Sequence, residues 1–494
     1  MPDREIELKF DVDPAALGAV QGHELLQGQT ADVKRTETVY FDTPKGKLWK
    51  AGVTLRVRRS GDGFVQTVKA DGGVGAGLFD RAEWEQAIAG EEPDLALIAG
   101  TAAEPLLRKD NVRDSLRPVF GTVVERQRWI VAEDGAEVEL ILDRGEVVAG
   151  KRREPIAEIE LELKRGGEPA LFAAAARIGK TVPLRIGVLT KSERGQRLRQ
   201  KKSRAVVKAE PVALRKEMKA GEAFEAIAYA CIRHFRLNEP QVLGARDPDA
   251  LHQARVALRR LRSAFSIFRP LVAGAEGDAI RGELGWISRV LGEARDLDVF
   301  IGKRLDGADP VLAAKVHEAR GAAYDAALEA LDSPRFRGAM MNLVAWIATG
   351  AWRREEAAGQ PVTAFAASAL DRFWRKVRKG GRGLGTIGDE ARHDVRIAGK
   401  KLRYAAEFFA ALHTAKKQAK RRAAFLDPLE ALQSDLGDLN DMVTAVELSE
   451  SLSRRLGVPA EQLGSEQKGQ DKGALLTSAE AAHANLVEAG PYWR

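Results

Sequence analysis

The chain has 494 residues, 45% of them hydrophobic and 30% charged, roughly three times a usual ~150-residue domain and ample for more than one packed core. Seventy-eight Lys and Arg against 71 Asp and Glu leave a net +7, a mild bias toward anionic partners. A single cysteine, Cys231, excludes an intramolecular disulfide and a thiolate metal site.

The first ten residues, MPDREIELKF, carry charge from the third position and have no apolar signal-peptide core. The longest uncharged stretch, Gly338 to Trp352, is shorter than the ~18–20 residues a spanning helix needs, which predicts a buried helix and no membrane partner. The expectation is a cytoplasmic protein.

Up to about residue 200 the pattern is mostly strand. Alternation is clear in Glu5–Phe10, Val53–Arg58, Phe64–Lys69, Val123–Ile130, Val138–Leu142 and Ile156–Leu163. Gly and Asp turns separate several of them, at Gly61-Asp62-Gly63, Gly72-Gly73-Val74-Gly75, Glu133-Asp134-Gly135 and Gly166-Gly167. Short helices are predicted at Pro14–Val20, Asp94–Ile98 and Ala170–Ile178. The basic stretch Gln200–Pro211 lacks periodicity and reads as a linker. Beyond it the chain turns to Ala/Leu/Arg-rich helices.

These helices contain a repeat. Leu251-His-Gln-Ala-Arg-Val-Ala-Leu-Arg-Arg-Leu-Arg262 matches Arg392-His-Asp-Val-Arg-Ile-Ala-Gly-Lys-Lys-Leu-Arg403, and Leu291-Gly-Glu-Ala-Arg-Asp296 is echoed by Leu436-Gly-Asp-Leu-Asn-Asp441. Two segments recurring in the same order indicate a duplicated helical unit.

Side chains alternate faces along a strand. One face of Glu5–Phe10 therefore carries Glu5, Glu7 and Lys9. Arg56 and Arg58 share a face, as do Arg126 and Arg128, the set Arg81, Glu83 and Glu85, and the set Glu158, Glu160 and Glu162. An ordinary sheet turns such faces to water. Their density here, with like charges that repel across neighbouring strands, suits a barrel with a polar interior. That interior could hold a polyanion on Arg and Lys and a hard divalent cation on the glutamates.

Glu5-Ile6-Glu7-Leu8-Lys9 resembles the ExExK motif of the CYTH superfamily, the triphosphate tunnel metalloenzymes. Tyr40-Phe41-Asp42-Thr43-Pro44, Leu55-Arg56-Val57-Arg58, Thr67-Val68-Lys69, Glu158-Ile159-Glu160-Leu161-Glu162 and Lys191-Ser192-Glu193-Arg194 match further motifs in the family's order. The resemblance covers residues 1–200 and implies an eight-stranded antiparallel β-barrel tunnel. It implies a catalytic set of Glu5, Glu7, Lys9, Glu158 and Glu160, and Mg²⁺ or Mn²⁺ on Glu5, Glu7, Glu158, Glu160 and Glu162. Triphosphate would be held by Lys9, Arg56, Arg58, Lys69, Arg126, Arg128 and Lys191. Asp143 and Glu83 stand where further tunnel acids are expected. Which two of Glu158, Glu160 and Glu162 hold the cation stays open.

On a helix, offsets 0, 3, 7 and 10 form a stripe. His252, Arg255, Arg259 and Arg262 have those offsets, and so do His393, Arg396, Lys400 and Arg403. No acidic residue lies between Leu251 and Leu271 to relieve the five arginines there, which implies a bound anion. His252-x-x-Arg255 with Arg259-Arg260-x-Arg262, and His393-x-x-Arg396 with Lys400-Lys401-x-Arg403, resemble the two motifs of the CHAD domain. That resemblance covers residues 215–490 after a linker at 201–214, with repeats at about 220–330 and 360–450. It implies an all-α bundle with an internal pseudo-twofold repeat that binds inorganic polyphosphate through those ten residues. Asp296 and Asp441 would orient arginines or cap helices, or ligate a metal.

The chain thus reads as multidomain, α+β and then all-α. Its expected function is metal-dependent hydrolysis of inorganic triphosphate by the barrel, with a polyphosphate-binding helical module. Adenylate cyclase or thiamine triphosphatase activity, and a non-enzymatic polyphosphate binder, are the alternatives. Nucleic acid is disfavoured because the basic helices lack interleaved aromatics for stacking.

Overall fold

The computed structural model describes residues 3–61, 63–70, 72, 75–305, 309–459 and 471–494. The expected turn positions Asp62, Gly73 and Val74 lie outside the described residues. The described chain forms two compact units that interleave in sequence. One comprises residues 1–207, 236–241 and 332–350, the other 208–235, 242–331 and 351–494.

The first unit is built on β1 (Asp3–Asp11), β2 (Asp32–Asp42), β3 (Val53–Ser60), β4 (Gly63–Ala70), β5 (Leu78–Ile88), β6 (Arg117–Glu133), β7 (Ala136–Ala149) and β8 (Arg152–Arg165). The order β5-β4-β3-β2-β6-β7-β8-β1 closes through β5–β1 pairing into an eight-stranded antiparallel barrel. A two-residue strand, β9 (Arg185–Ile186), extends the β5 side of β1. The β6–β7 hairpin turns at Asp134 and Gly135, both with positive φ (48° and 77°). Those angles match the twist of the flanking strands.

The barrel is inside-out by polarity. Its alternation puts charges inward and apolar side chains outward, where helices cover them. Leu8, Phe10, Ile159 and Leu161 are fully buried, and the helix Glu168–Ile178 packs on β1, β6, β7 and β8 through a face that includes Leu171, Ala174 and Ile178. On the other side Leu55, Val57 and Val68 join Ile98, Leu107 and Val112 from short helical turns. Phe10→Ala should therefore cost about 3–5 kcal/mol, measured as a lower denaturation midpoint. An unshifted midpoint would mean the outer face carries little of the stability.

Most of the uncharged stretch, Gly338 to Thr349, lies in the helix Pro334–Thr349, whose buried face packs on the helix Glu168–Ile178 and on β9, and Ala351 and Trp352 begin a separate short turn. The second unit is helical. Pro248–Ile267 packs against Ala275–Arg304, and Asp389–Phe408 packs against Lys416–Leu456. The two motif-bearing helices also pack on each other, so the repeat seen in sequence is a repeat of helix pairs. Leu258, Leu261, Phe265 and Phe268 form the buried side of the first. Among the described residues no helix is long and apolar enough to cross a membrane.

Candidate functional site

Register determines which charges share the barrel interior. Across β1 and β8, Glu7 faces Glu162 and Lys9 faces Glu160. Glu5 faces Arg81 on β5, Lys69 faces Glu83, Tyr40 faces Arg56 and Arg126 faces Asp143. One cavity results, open to solvent. Nine Lys and Arg side chains and seven glutamates line it, including Glu5, Glu7, Lys9, Arg56, Arg58, Lys69, Arg126, Arg128, Glu160, Glu162 and Lys191. Glu158 is fully buried beneath that lining.

The interior divides electrostatically. At its floor Lys9 pairs with Glu158 at 2.6 Å and with Glu160 at 3.0 Å. Lys191 pairs with Asp143 at 2.6 Å, with Glu160 at 2.9 Å and with Glu158. Arg126 forks onto Asp143, with donor–acceptor distances of 2.8 and 2.6 Å, and reaches Glu160 at 3.1 Å. Burial alone would raise the carboxyls of Asp143 and Glu160, yet Lys191 and its neighbouring cations hold both below their usual range. Burial would likewise lower Lys191, but Asp143, Glu158 and Glu160 drive it well above the ordinary lysine value.

The glutamates above the floor are less well compensated. Lys69 donates to both Glu5 oxygens at 2.7 and 2.6 Å. Against burial, Lys69 and Arg81 bring Glu5 down to about 2. Glu7 has Arg81 as its ion-pair partner, and burial with the charges of Glu160 and Glu5 pushes it up to about 6. Burial also raises Glu162, reinforced by Glu5 and Glu139 although Lys164 opposes it. A buried carboxyl, Glu7, and a partly buried one, Glu162, both held above their normal values on facing strands, form a site short of positive charge.

That contrast is the test of a metal. Oxygen-only donors fit a hard divalent ion. Asp143, Glu158 and Glu160 bring ligand atoms within 4.8 Å of one another, but Lys9, Lys191 and Arg126 already neutralise them. Glu7 and Glu162 have one ion-pair partner each, Arg81 and Lys164, and fit a cation better.

Arg81, Glu85, Glu139 and Lys164 also line the cavity and were not singled out as site residues from sequence. Arg81 and Glu85 share the alternating face of β5, a signal that was available. Glu139 and Lys164 depend on hairpin register. Burial and Arg56 both act on Arg58, Arg56 more strongly, and lower it to about 10. Crowded cations of this kind favour an anionic ligand.

In the helical unit the ten basic candidates separate into groups. His252, Arg255, Arg259, Arg396 and Lys400 share one neighbourhood, joined by Arg295. Arg255 donates to the Ser288 carbonyl and lies 4.0 Å from Asp296, and Arg259 donates to Tyr404 Oη at 2.6 Å. Burial, then Arg396 and Arg259, lowers Lys400 to about 8. Burial, then Arg295 and Arg259, holds His252 below the usual histidine value.

Arg260 instead lies on the buried side, paired with Glu407 and 4.8 Å over the Phe408 ring. Arg403 shares Glu407 at 3.2 Å. Arg262 and Lys401 fall in a different basic corner with Arg372 and Lys376. At about 100° per residue, Arg260 and Arg262 sit about 80° to either side of His252, so Arg260 lies off the stripe of His252, Arg255, Arg259 and Arg262, and Arg262 lies at its edge. His393 Nδ1 and Arg396 both meet Asn440 Oδ1 at 2.9 Å.

Comparison with known families agrees with both halves. A CYTH domain matches residues 3–195 and a CHAD domain residues 226–450. The chain joins a CYTH domain to a CHAD domain. Over 180 residues the CYTH–CHAD chain is 31% identical to an inorganic triphosphatase of Haemophilus influenzae, covering 34% of this chain and 47% of that protein, so it spans about half the length of this curated relative. Among solved structures, the CHAD domain of the plant Ricinus communis is 30% identical and covers 57% of this chain and 96% of its own, with a TM-score of 0.49. PptA from Streptomyces chartreusis is 20% identical, covering 55% of this chain and 99% of its own, with a TM-score of 0.37.

Proposed function

We propose that the barrel hydrolyses a terminal phosphoanhydride of inorganic triphosphate with Mg²⁺ or Mn²⁺, and that the CHAD helices bind polyphosphate. The observation that carries the first part is one cavity lined by nine cations and seven glutamates, a lining that suits a polyanion and a divalent cation together. The H. influenzae relative's activity supports the same reading.

Glu7 and Glu162, with Glu5 and Glu160 beside them, would hold the cation. Bound there, it would supply Lewis-acid neutralisation of phosphate oxygens. Lys9, Lys191, Arg56 and Arg126 would clamp the phosphates and offset charge as water attacks in line at the terminal phosphorus. Tyr40, the aromatic residue of the lining, is stacked on Phe120 at 4.7 Å, which leaves little to recognise a base or a thiamine ring. The deciding measurement is phosphate release from tripolyphosphate, ATP and thiamine triphosphate with and without Mg²⁺ or Mn²⁺. Equal rates on all three, or no cation requirement, would refute the reading.

For the helices, His252, Arg255, Arg259, Arg396 and Lys400 would contact polyphosphate. A polyanion favours charged Lys400, so above pH 8 binding must be accompanied by proton uptake. Affinity should fall about tenfold between pH 7 and pH 9, and Lys400→Arg should flatten that profile. A wild-type profile already flat would remove Lys400 from the interface.

A further inference from the structure

Arg236 lies outside the residues matched by the CYTH family, 3–195, yet it belongs to the barrel-containing unit. Its side chain is 6% exposed. Nε donates to the Ile186 carbonyl at 2.8 Å, and Ile186 is the β9 residue opposite Phe10 of β1. A terminal nitrogen reaches Asp11 at 3.5 Å. One helical turn on, Glu239 closes an i,i+3 pair with Arg236. Glu239 is also held by Arg185, which reaches Asp332 as well, each at 2.6 Å.

Asp11 is the last residue of β1, two beyond Lys9. Its other oxygen takes Arg194. Arg194 in turn reaches Glu154 at 3.3 Å and Glu158 at 3.9 Å, and Glu158 is the buried acid to which Lys9 and Lys191 are tied. From the cavity floor outward, Asp143, Glu158, Glu160, Glu154 and Asp11 are matched by five cations, Arg236 among them. Loss of one member redistributes the rest: Asp11, whose side chain is 30% exposed, would keep Arg194 as its remaining partner.

We infer that Arg236 is a positioning residue for the triphosphate site: by sharing Asp11 it leaves Arg194 able to offset Glu158, so that Lys9 and Lys191 stay available to phosphate. Without Arg236, Asp11 claims Arg194, and Glu158 draws both lysines toward the floor. The cost falls on substrate binding more than on the chemical step. This rests on the tunnel being the triphosphate site.

The test uses the full chain, with kinetics on tripolyphosphate, calorimetric binding of tripolyphosphate and thermal unfolding. Arg236→Ala should raise KM and weaken binding about five- to twentyfold with kcat within about threefold. Adding Asp11→Asn removes the stranded carboxylate and should return KM to within about threefold of wild type, and Arg236→Lys, which keeps the charge, should do the same. Unchanged KM in Arg236→Ala, or a KM rise that neither second variant relieves, would overturn the proposal. If Arg236→Ala does not fold, the other two variants still decide: a tenfold higher KM in either would overturn it. A wild-type chain that neither binds nor hydrolyses tripolyphosphate would instead refute the tunnel reading itself.

Discussion

Glu7→Gln should leave tripolyphosphate hydrolysis at least about a hundredfold below wild type, the scale on which loss of one preorganised charge acts in a water-poor site. Glu7 is buried, faces Glu162 across the strand pair and has Arg81 as its ion-pair partner. Glutamine keeps the shape and removes the charge that would hold the cation. Stability should not fall in the metal-free protein. Burial and like charges lift the folded Glu7 carboxyl to about 6, above its ordinary value of 4.5. The folded state therefore binds this proton more tightly than the unfolded chain. Its contribution favours folding at low pH and is lost as pH rises through about 6. At pH 7.5 in chelator, Glu7→Gln should melt at or above the wild-type temperature. Wild-type turnover at limiting Mn²⁺ would remove Glu7 from the site, and a sharp fall in melting temperature would make it structural.

The second large effect is expected in the CHAD helices. Replacing Arg255, Arg259 and Arg396 together with alanine should weaken long-chain polyphosphate binding by about two to three orders of magnitude in low salt and flatten its salt dependence, by analogy with other polyanions. The three belong to one cluster of mutual repulsion. Their nearest partners are a carbonyl, a tyrosine hydroxyl and an asparagine, with Asp296 4.0 Å from Arg255. Folding should survive, because the apolar side of the first helix is made by Leu258, Leu261 and Phe265. Unchanged affinity would return these arginines to the role of a solvated face. Arg260→Ala, by contrast, should act mainly on stability, since Glu407 and Phe408 are its partners.

Strands β1, β3, β4, β6, β7 and β8 were legible because two-residue alternation is a local property of sequence. β2 was not picked out by that pattern, and β5 entered only as the charged face of Arg81, Glu83 and Glu85. The first half of β2, Asp32 to Arg35, is exposed, and β5 mixes Asp80, Arg81, Ala82 and Glu83 with few apolar residues to mark a face. The charged interior followed from charge density alone, but the division between a neutralised floor and a cation-poor Glu7–Glu162 pair did not. That division depends on cross-strand register, in which a shift of one residue would exchange every inward side chain. The repeat and its basic residues were visible in the CHAD half. The 100° step that turns Arg260 inward and carries Arg262 to another corner matters only once packing fixes which side of the helix is buried. Arg236 was out of reach, because nothing local connects it to Asp11.

The interleaving of the two units bears on how the protein is made. All eight barrel strands and β9 have been synthesised by residue 186, but the helix Pro334–Thr349, which packs on the barrel's helix Glu168–Ile178, follows some 150 residues later. At about 5–20 residues per second, the barrel waits roughly 10–30 seconds with that surface open. Nascent chains stalled before residue 332 should therefore be bound by chaperones more than full-length chains.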